Sequence, residues 1–305
     1  MMFPIAYNFI DNHKIYYKFI NNIRFAYFLT ALNLLISNIF KMGLSIYAAD
    51  TFYEGTGGDP ISLSIIFIVF APIIFRSVKK SAIITFVLYY LSIFFVIISV
   101  RRAAIICAAI AILLQLVMMN YKKIFVYLAV GIGIIIILYP VYSNSLNRRF
   151  EVRLGSFQSR GLEAEARYVE AKIVIDEFLK KSIRQSLVGT ELFNSYNYSW
   201  QQLGGYGLGT RNFHTFFANY LHGSGLIGLA YAVFIYATIG RRIIKIKKNI
   251  RKNKIWAMAA SVGIVLIIVW FIQLNSFGIW LLTENSIIFL YLGGTMRQIE
   301  QNQDV

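Results

Sequence analysis

The amino-acid sequence predicts an all-α, polytopic transmembrane bundle. Several uninterrupted apolar runs are long enough to cross a hydrocarbon core as helices, and charged residues make up only 14% of the chain. A soluble domain of 305 residues needs more polar surface than that, and here 58% of the residues are hydrophobic. The single cysteine, Cys107, lies inside an apolar run, which excludes disulfides and a cysteine-based metal site.

About eight spans are expected from the lengths of the apolar runs. In chain order they are 24–42, 60–75, 81–100, 103–119, 124–142, 213–239, 255–274 and 276–294. The predicted organisation therefore has three parts. They are N-terminal spans over 1–142, one long loop over 143–212, and C-terminal spans with a tail over 213–305.

The positions of lysine and arginine predict the orientation. With the N-terminus inside, seventeen of the 30 basic residues fall in inner loops and only three fall in the short outer loops. The other ten lie in the long loop, which is left out of the comparison because long loops translocate largely regardless of charge. Both termini are therefore expected in the cytoplasm and the long loop outside. Membrane orientation also explains the net charge of +16, so nucleic acid is not an expected partner.

The long loop is the one segment large enough for extramembrane structure. Residues 161–184 carry apolar residues at helical spacing, which predicts an amphipathic helix. Residues 194–209 form a Gly-, Asn- and Tyr-rich loop that leads back to the membrane. The glycines in it do not indicate a nucleotide-binding loop, because no strand precedes them.

Arginines collect in and beside this outward-facing loop, whereas ionisable residues are scarce in the spans. A guanidinium group binds phosphate oxygens in a bidentate way, so such a cluster favours the diphosphate of a lipid-linked substrate. The alternative is that these side chains pair with lipid headgroups or with nearby carboxylates. The arginines are Arg101, Arg102, Arg148, Arg149, Arg153, Arg160, Arg167, Arg184 and Arg211, and the carboxylates are Glu163, Glu165, Glu170 and Asp176.

Two histidines lie where the loop re-enters the membrane. A neutral imidazole at His214 is suited to take a proton from an acceptor hydroxyl, although an interfacial histidine that only hydrogen-bonds backbone fits the position as well. His222 follows about two helical turns deeper and is the weaker candidate. The glycines at 223, 225 and 228 indicate tight helix packing through small residues.

The stretch HTFFANYLHGSGLIGL at 214–229 resembles the signature of the O-antigen ligase and O-antigen polymerase family of membrane glycosyltransferases. In that family a histidine opens a helix, and a Gly-hydrophobic-hydrophobic-Gly-Leu group follows eleven residues later, here from Gly225 to Leu229. Other segments are similar to family motifs in the same order. They are YEGTGGDPISLS at 53–64, VRRAA at 100–104, and ARYVEAKIVIDEF at 166–178 together with the turn at Val188-Gly189 that follows it.

The resemblance implies inverting, metal-independent glycosyl transfer at the periplasmic face of the bacterial inner membrane, from an oligosaccharide linked to undecaprenyl diphosphate. It implies His214 as the catalytic residue and Arg211, Arg167, Arg101 and Arg160 as ligands of the diphosphate. No cofactor and no metal are implied. The expected function is polymerisation of surface-polysaccharide repeat units in lipopolysaccharide biosynthesis. A chain-length regulator is a further partner that the sequence leaves open.

The chain departs from the family pattern at Thr215, where asparagine is commoner, and in having fewer spans before the Gly-Asp-Pro stretch. A compact variant and an N-terminally truncated, non-catalytic chain both fit that length. Two other functions stay open. One is ligation of the glycan to lipid A-core. The other is a glycolipid flippase or transporter, although the spans offer few polar residues to line a path. Those residues are Asn33, Asn38, Gln115 and Gln273.

Overall fold

The computed structural model describes most of the helical segments of the chain. The residues described are 2–10, 12–42, 60–77, 82–98, 102–119, 166–189, 198–199, 210–211, 215–249, 254–277 and 282–301, with a few further positions between 126 and 151. Within them the helices are α1 (Met2–Phe9), α2 (His13–Met42), α3 (Pro60–Ser77), α4 (Ala82–Ile98), α5 (Arg102–Met119), α6 (Ala166–Lys180), α7 (Ile183–Val188), α8 (Phe216–Asn249), α9 (Lys254–Phe277) and α10 (Leu282–Gln301). Two short strands, β1 (Tyr198–Ser199) and β2 (Thr210–Arg211), pair antiparallel.

The all-α prediction is confirmed, apart from this two-residue strand pair. Helices α3, α4 and α5 begin and end within two residues of the predicted spans. Helix α2 begins at His13, well before the predicted span, and α10 begins six residues late, at Leu282. In the predicted span 124–142, helical positions are described at 126, 129–133 and 136.

Two described helices are long and apolar enough to cross a membrane, judged by length and composition. They cover Phe216–Lys247 and Lys254–Gln273, and shorter apolar helices cover Ile61–Arg76, Ile83–Ile97 and Ala103–Met118. Large apolar side chains in the first of them are exposed, for example Ile227 at 58% and Phe234 at 65%. An apolar surface of this kind indicates membrane association, because lipid can cover it without cost.

The chain forms two compact units. The first contains Met1–Arg149, Gly240–Val269 and Leu281–Val305, and the second contains Phe150–Ile239 and Trp270–Trp280. In the first unit the core lies around α3, which contacts α2, α4 and α5. Almost every side chain of α3 between Ile61 and Ile74 is buried, as expected for a helix that is apolar on all faces.

A hydrogen bond from α5 compensates for a proline inside α3. Pro72 lacks the backbone N–H that would normally bond to the carbonyl of Ile68, four residues earlier. The Gln115 side chain supplies the missing donor, since its Nε2 lies 2.8 Å from the Ile68 oxygen and 3.1 Å from that of Val69. Gln115, one of the few polar residues considered for a transport path, therefore donates to the backbone inside the helical core.

Replacing Gln115 by leucine should lower the free energy of unfolding by about 1–3 kcal/mol, because the Ile68 carbonyl would be buried without a donor. In a Pro72→Ala background the loss should be smaller, since alanine at that position restores the helical N–H. Unfolding of the four proteins of this double-mutant cycle in detergent measures the coupling. Equal losses in both backgrounds would contradict the assigned role of Gln115.

Helix α1 packs against α10 at two adjacent glycines. A Cβ atom added at Gly293 would lie 2.4 Å from the Phe3 oxygen, and one added at Gly294 would lie 2.7 Å from the Ile10 side chain. The sequence predicted no helix before the first span. The formation of α1 depends on its packing at these two glycines, because eight residues are too few for a stable helix without tertiary contacts.

Helix α8 folds back on itself at Gly225. The φ and ψ angles of Gly225 are 63° and −165°, a conformation that is essentially restricted to glycine. The rings of Phe216 and Tyr236 are 5.7 Å apart, although a straight helix would separate residues twenty positions apart by about 30 Å. The segment predicted as a span over 213–239 is therefore helical but sharply bent. It consists of a short first arm before Gly225 and a longer second arm after it.

Candidate functional site

The second unit contains the segments that carry the candidate residues of the long loop. Helix α6 and the first arm of α8 pack together through a small apolar cluster. Its buried members are Val174, Ala218 and Leu221, and Ile173, Phe178 and Leu229 pack around them. The amphipathic helix predicted over 161–184 is confirmed over Ala166–Lys180, and the chain then breaks into the separate helix α7.

Helix α6 and the first arm of α8 meet over a short stretch. Val174 and Phe178 of α6 pack with Ala218 and Leu221 of α8, and His222, the residue after Leu221, reaches Glu177 in the last turn of α6. The contact therefore joins the C-terminal half of α6 to the first arm of α8.

Thr215 caps the start of α8. Its Oγ1 accepts a hydrogen bond from the backbone N–H of Ala218 at 3.3 Å, and its carbonyl accepts from the Asn219 backbone and side chain at 3.1 and 3.0 Å. Threonine and asparagine are both good N-cap residues. The departure from the family pattern at this position therefore keeps the capping chemistry.

We expect Thr215→Ala to destabilise the first arm of α8 by about 1 kcal/mol, because the Ala218 N–H loses its acceptor. Thr215→Asn should retain the stability of the wild type. Hydrogen exchange of peptides covering 216–224 measures the effect locally. Equal exchange in the alanine variant and the wild type would show that Thr215 does not cap the helix.

The end of α7 fits against the bend of α8 at Gly189 and Gly225, where backbone meets backbone. A Cβ atom on Gly189 would lie 2.2 Å from the Gly223 oxygen, and one on Gly225 would lie 2.5 Å from both the Gly189 nitrogen and the Leu187 oxygen. Gly189 has a φ of 85°, so it too adopts a conformation suited to glycine. Close packing at the glycines of 223–228 was predicted and is confirmed, but the packing partner is backbone at the end of α7.

A histidine, a carboxylate and an ammonium group meet where α6 ends. His222 is only 3% exposed. Its Nδ1 lies 3.2 Å from Glu177 Oε2 and 3.3 Å from Lys181 Nζ. Burial lowers the pKa of Lys181, and the negative charge of Glu177 raises it in opposition.

One ring nitrogen of His222 serves two partners that require opposite protonation. A protonated Nδ1 donates to the Glu177 carboxylate, whereas an unprotonated Nδ1 accepts from the Lys181 ammonium group. In either state a hydrogen bond links α8 to the last turn of α6. A buried polar contact that is satisfied in this way fixes the relative position of two helices more sharply than apolar contacts do.

The strand pair ties the beginning and the end of the Gly- and Tyr-rich loop together. Tyr198 pairs with Arg211, and Ser199 pairs with Thr210. Arg211 is therefore anchored through its backbone four residues before the N-cap of α8. The sequence predicted a plain loop over 194–209, and a two-residue strand carries no periodic pattern by which it could be recognised.

The structure describes some of the candidate site residues but not all of them. Arg167 lies in the first turn of α6 and Arg211 in β2, and the structure describes the backbone of both. Both segments belong to the same compact unit as the first arm of α8. His214, Arg101 and Arg160 lie outside the described residues. Of the carboxylates considered as arginine partners, Glu170 is buried and Asp176 is exposed.

Glu177 and Lys181 were not recognised as candidate residues from the sequence. Their spacing of four residues places them on one helix face, but this pattern is common on solvated helices. The partner that gives them a role, His222, lies 41 residues after Lys181. His222 itself was expected deep in a span, whereas it packs against α6.

No group of three or more His, Cys, Asp or Glu side chains that could hold a metal ion occurs within the described residues. No protein-family model matches this chain, and no curated protein shows significant similarity to it.

Proposed function

We propose that this chain is a surface-polysaccharide polymerase of the O-antigen type. It transfers a glycan from undecaprenyl diphosphate to the next lipid-linked repeat unit, at the periplasmic face of the bacterial inner membrane. About eight spans, with both termini in the cytoplasm, hold the long loop outside. This proposal rests on the four motifs of the sequence and on the positive-inside distribution of lysine and arginine.

The placing of two candidate arginines in one compact unit is the structural observation that supports the proposal best. Arg167 lies in the first turn of α6, and Arg211 lies in β2, four residues before the N-cap of α8. Helix N-termini and arginines both favour anions, so these segments suit a diphosphate.

In the proposed reaction the acceptor hydroxyl oxygen attacks the anomeric carbon of the donor glycan. The bond from that carbon to the diphosphate oxygen breaks, and the electron pair leaves with undecaprenyl diphosphate. His214 takes the proton of the hydroxyl group, which restores neutrality at the new glycosidic oxygen. Arg211 and Arg167, with Arg101 and Arg160, neutralise the charge that develops on the diphosphate. Attack from the opposite face inverts the anomeric configuration.

Purified protein in nanodiscs, given lipid-linked repeat units and a chelator, should build a ladder of longer glycans. The chelator tests the metal-independent mechanism, because a metal-dependent transferase would stop. A parallel reaction with lipid A-core as acceptor separates polymerase from ligase. Transfer to lipid A-core without any ladder would make the chain a ligase, and the absence of transfer to either acceptor would contradict the proposed function.

A further inference from the structure

The contact of His222 with Glu177 and Lys181 stands apart from the residues assigned to the reaction. The imidazole is only 3% exposed, so it does not reach a sugar or a diphosphate in this structure. It nevertheless joins α6 to the first arm of α8. Arg167 lies in α6, and the first arm of α8 follows His214 in the chain. Burying the imidazole between a carboxylate and an ammonium group costs desolvation of the ring, whereas the Glu177 side chain stays 36% exposed. Leucine at this position would pack without that cost.

We propose that His222 is a positioning residue, which holds α6 and the first arm of α8 in register through its hydrogen bonds to Glu177 and Lys181. The expected effect of this contact on catalysis rests on the proposed function. Its structural part, the register of two helices, does not depend on any reaction.

Three features support a positioning role. Apolar contact around Val174 and Leu221 alone permits sliding, because side chains of this kind repack easily. The hydrogen bonds of His222 are directional, and they act at the far end of α6 from Arg167. The polar contact adjoins the apolar cluster, since Phe178 follows Glu177 and Leu221 precedes His222, so it adds directional bonds to the same helix contact.

Asparagine is the conservative substitution at this position. One of its two amide atoms can occupy about the place of Nδ1, where the nitrogen would donate to Glu177 or the oxygen would accept from Lys181, but it cannot act as a general base. Leucine has a similar volume and makes neither bond. His222→Asn therefore tests whether a hydrogen bond is sufficient without the imidazole. His222→Leu tests whether filling the space is sufficient without a hydrogen bond.

The first measurement is the distance between spin labels on the two helices, which needs no enzyme activity. Cysteines at the exposed positions Tyr168 and Phe217, in a Cys107→Ala background, report on the starts of α6 and α8. His222→Leu should shift or broaden the distance distribution by a few Å, and His222→Asn should leave it as in the parent protein. An unchanged distribution in His222→Leu would overturn the inference.

The second measurement is polymerisation by the same variants. His222→Leu should lower kcat about 10- to 100-fold with KM changed less than about threefold, since a displacement near 1 Å at the reacting groups is that costly. His222→Asn should recover most of the rate. Equal loss in both variants would overturn a positioning role, because the imidazole itself would then be required.

Two neighbouring lysines provide a matched control. Lys181 lies 3.3 Å from the imidazole, whereas its neighbour Lys180 is exposed. Lys181→Met should reproduce part of the kcat loss, and Lys180→Met should not. If the parent protein makes no polymer at all, the proposed function fails, and the spin-label distances still decide the inference about His222.

Discussion

Arg211→Ala should lower the rate of polymerisation by about 100-fold or more, because an arginine that neutralises a departing diphosphate contributes most in the transition state. The loss should appear mainly in kcat, with a smaller change in KM for the lipid-linked unit. Arg211 and Tyr198 are paired in the strand ladder through their backbones, so the substitution removes the guanidinium group and keeps the backbone groups of the strand pair. Initial rates in nanodiscs measure the effect.

Arg211→Lys separates charge from geometry. Lysine keeps the positive charge but loses the bidentate fork, so its rate should lie between those of the wild type and the alanine variant. Lys172→Ala removes a cation from an exposed position of α6 and should retain the wild-type rate. A wild-type rate for Arg211→Ala, at normal protein levels, would remove Arg211 from the site.

Gly225→Ala should unfold much of the second unit, at a cost of about 3 kcal/mol or more. Two effects combine at this position. An L-residue is strained at a φ of 63°, and the added Cβ would lie 2.5 Å from the backbone of Leu187 and Gly189. Neither neighbour can move easily, because both contacts are with main-chain atoms. The unfolding midpoint in detergent measures the loss.

Gly240→Ala on the same helix is the matched control. A Cβ at Gly240 meets nothing within 4 Å, and alanine is a better helix former than glycine by about 1 kcal/mol. The control should therefore be as stable as the wild type or more so. A Gly225→Ala protein as stable as the Gly240→Ala protein would show that α8 does not fold back at Gly225.

The lengths of the apolar runs predicted the central helices well. A segment such as Ala82–Ile98 is mainly apolar, and no other pattern in it indicates a different structure. Helix ends were less predictable. α10 continues to Gln301 through Arg297 and Glu300, since Arg242 pairs with Glu300 and Tyr7 also bonds to that carboxylate. Such contacts come from distant parts of the chain and leave no local pattern.

The bend at Gly225 shows the same limit. Glycine within an apolar helix indicates close packing, and close packing is present. The fold-back depends on the end of α7, which packs against the bend. The loop between α7 and α8 does not indicate that these two segments meet. The role of His222 was equally hidden, because Glu177 and Lys181 gain meaning only when α6 lies beside α8. In contrast, Arg167 and Arg211 could be selected from the sequence, by the chemistry of the guanidinium group and by the family resemblance.

Accessibility labelling tests the proposed outward-facing diphosphate site most directly. A cysteine at Lys172 on α6, in a Cys107→Ala background, should react with a membrane-impermeant maleimide in spheroplasts. A cysteine at Lys245, which is also exposed, should react only after the membrane is permeabilised. The reverse pattern would put the arginines in the cytoplasm, where no periplasmic lipid-linked glycan could meet them, and would contradict the proposed function.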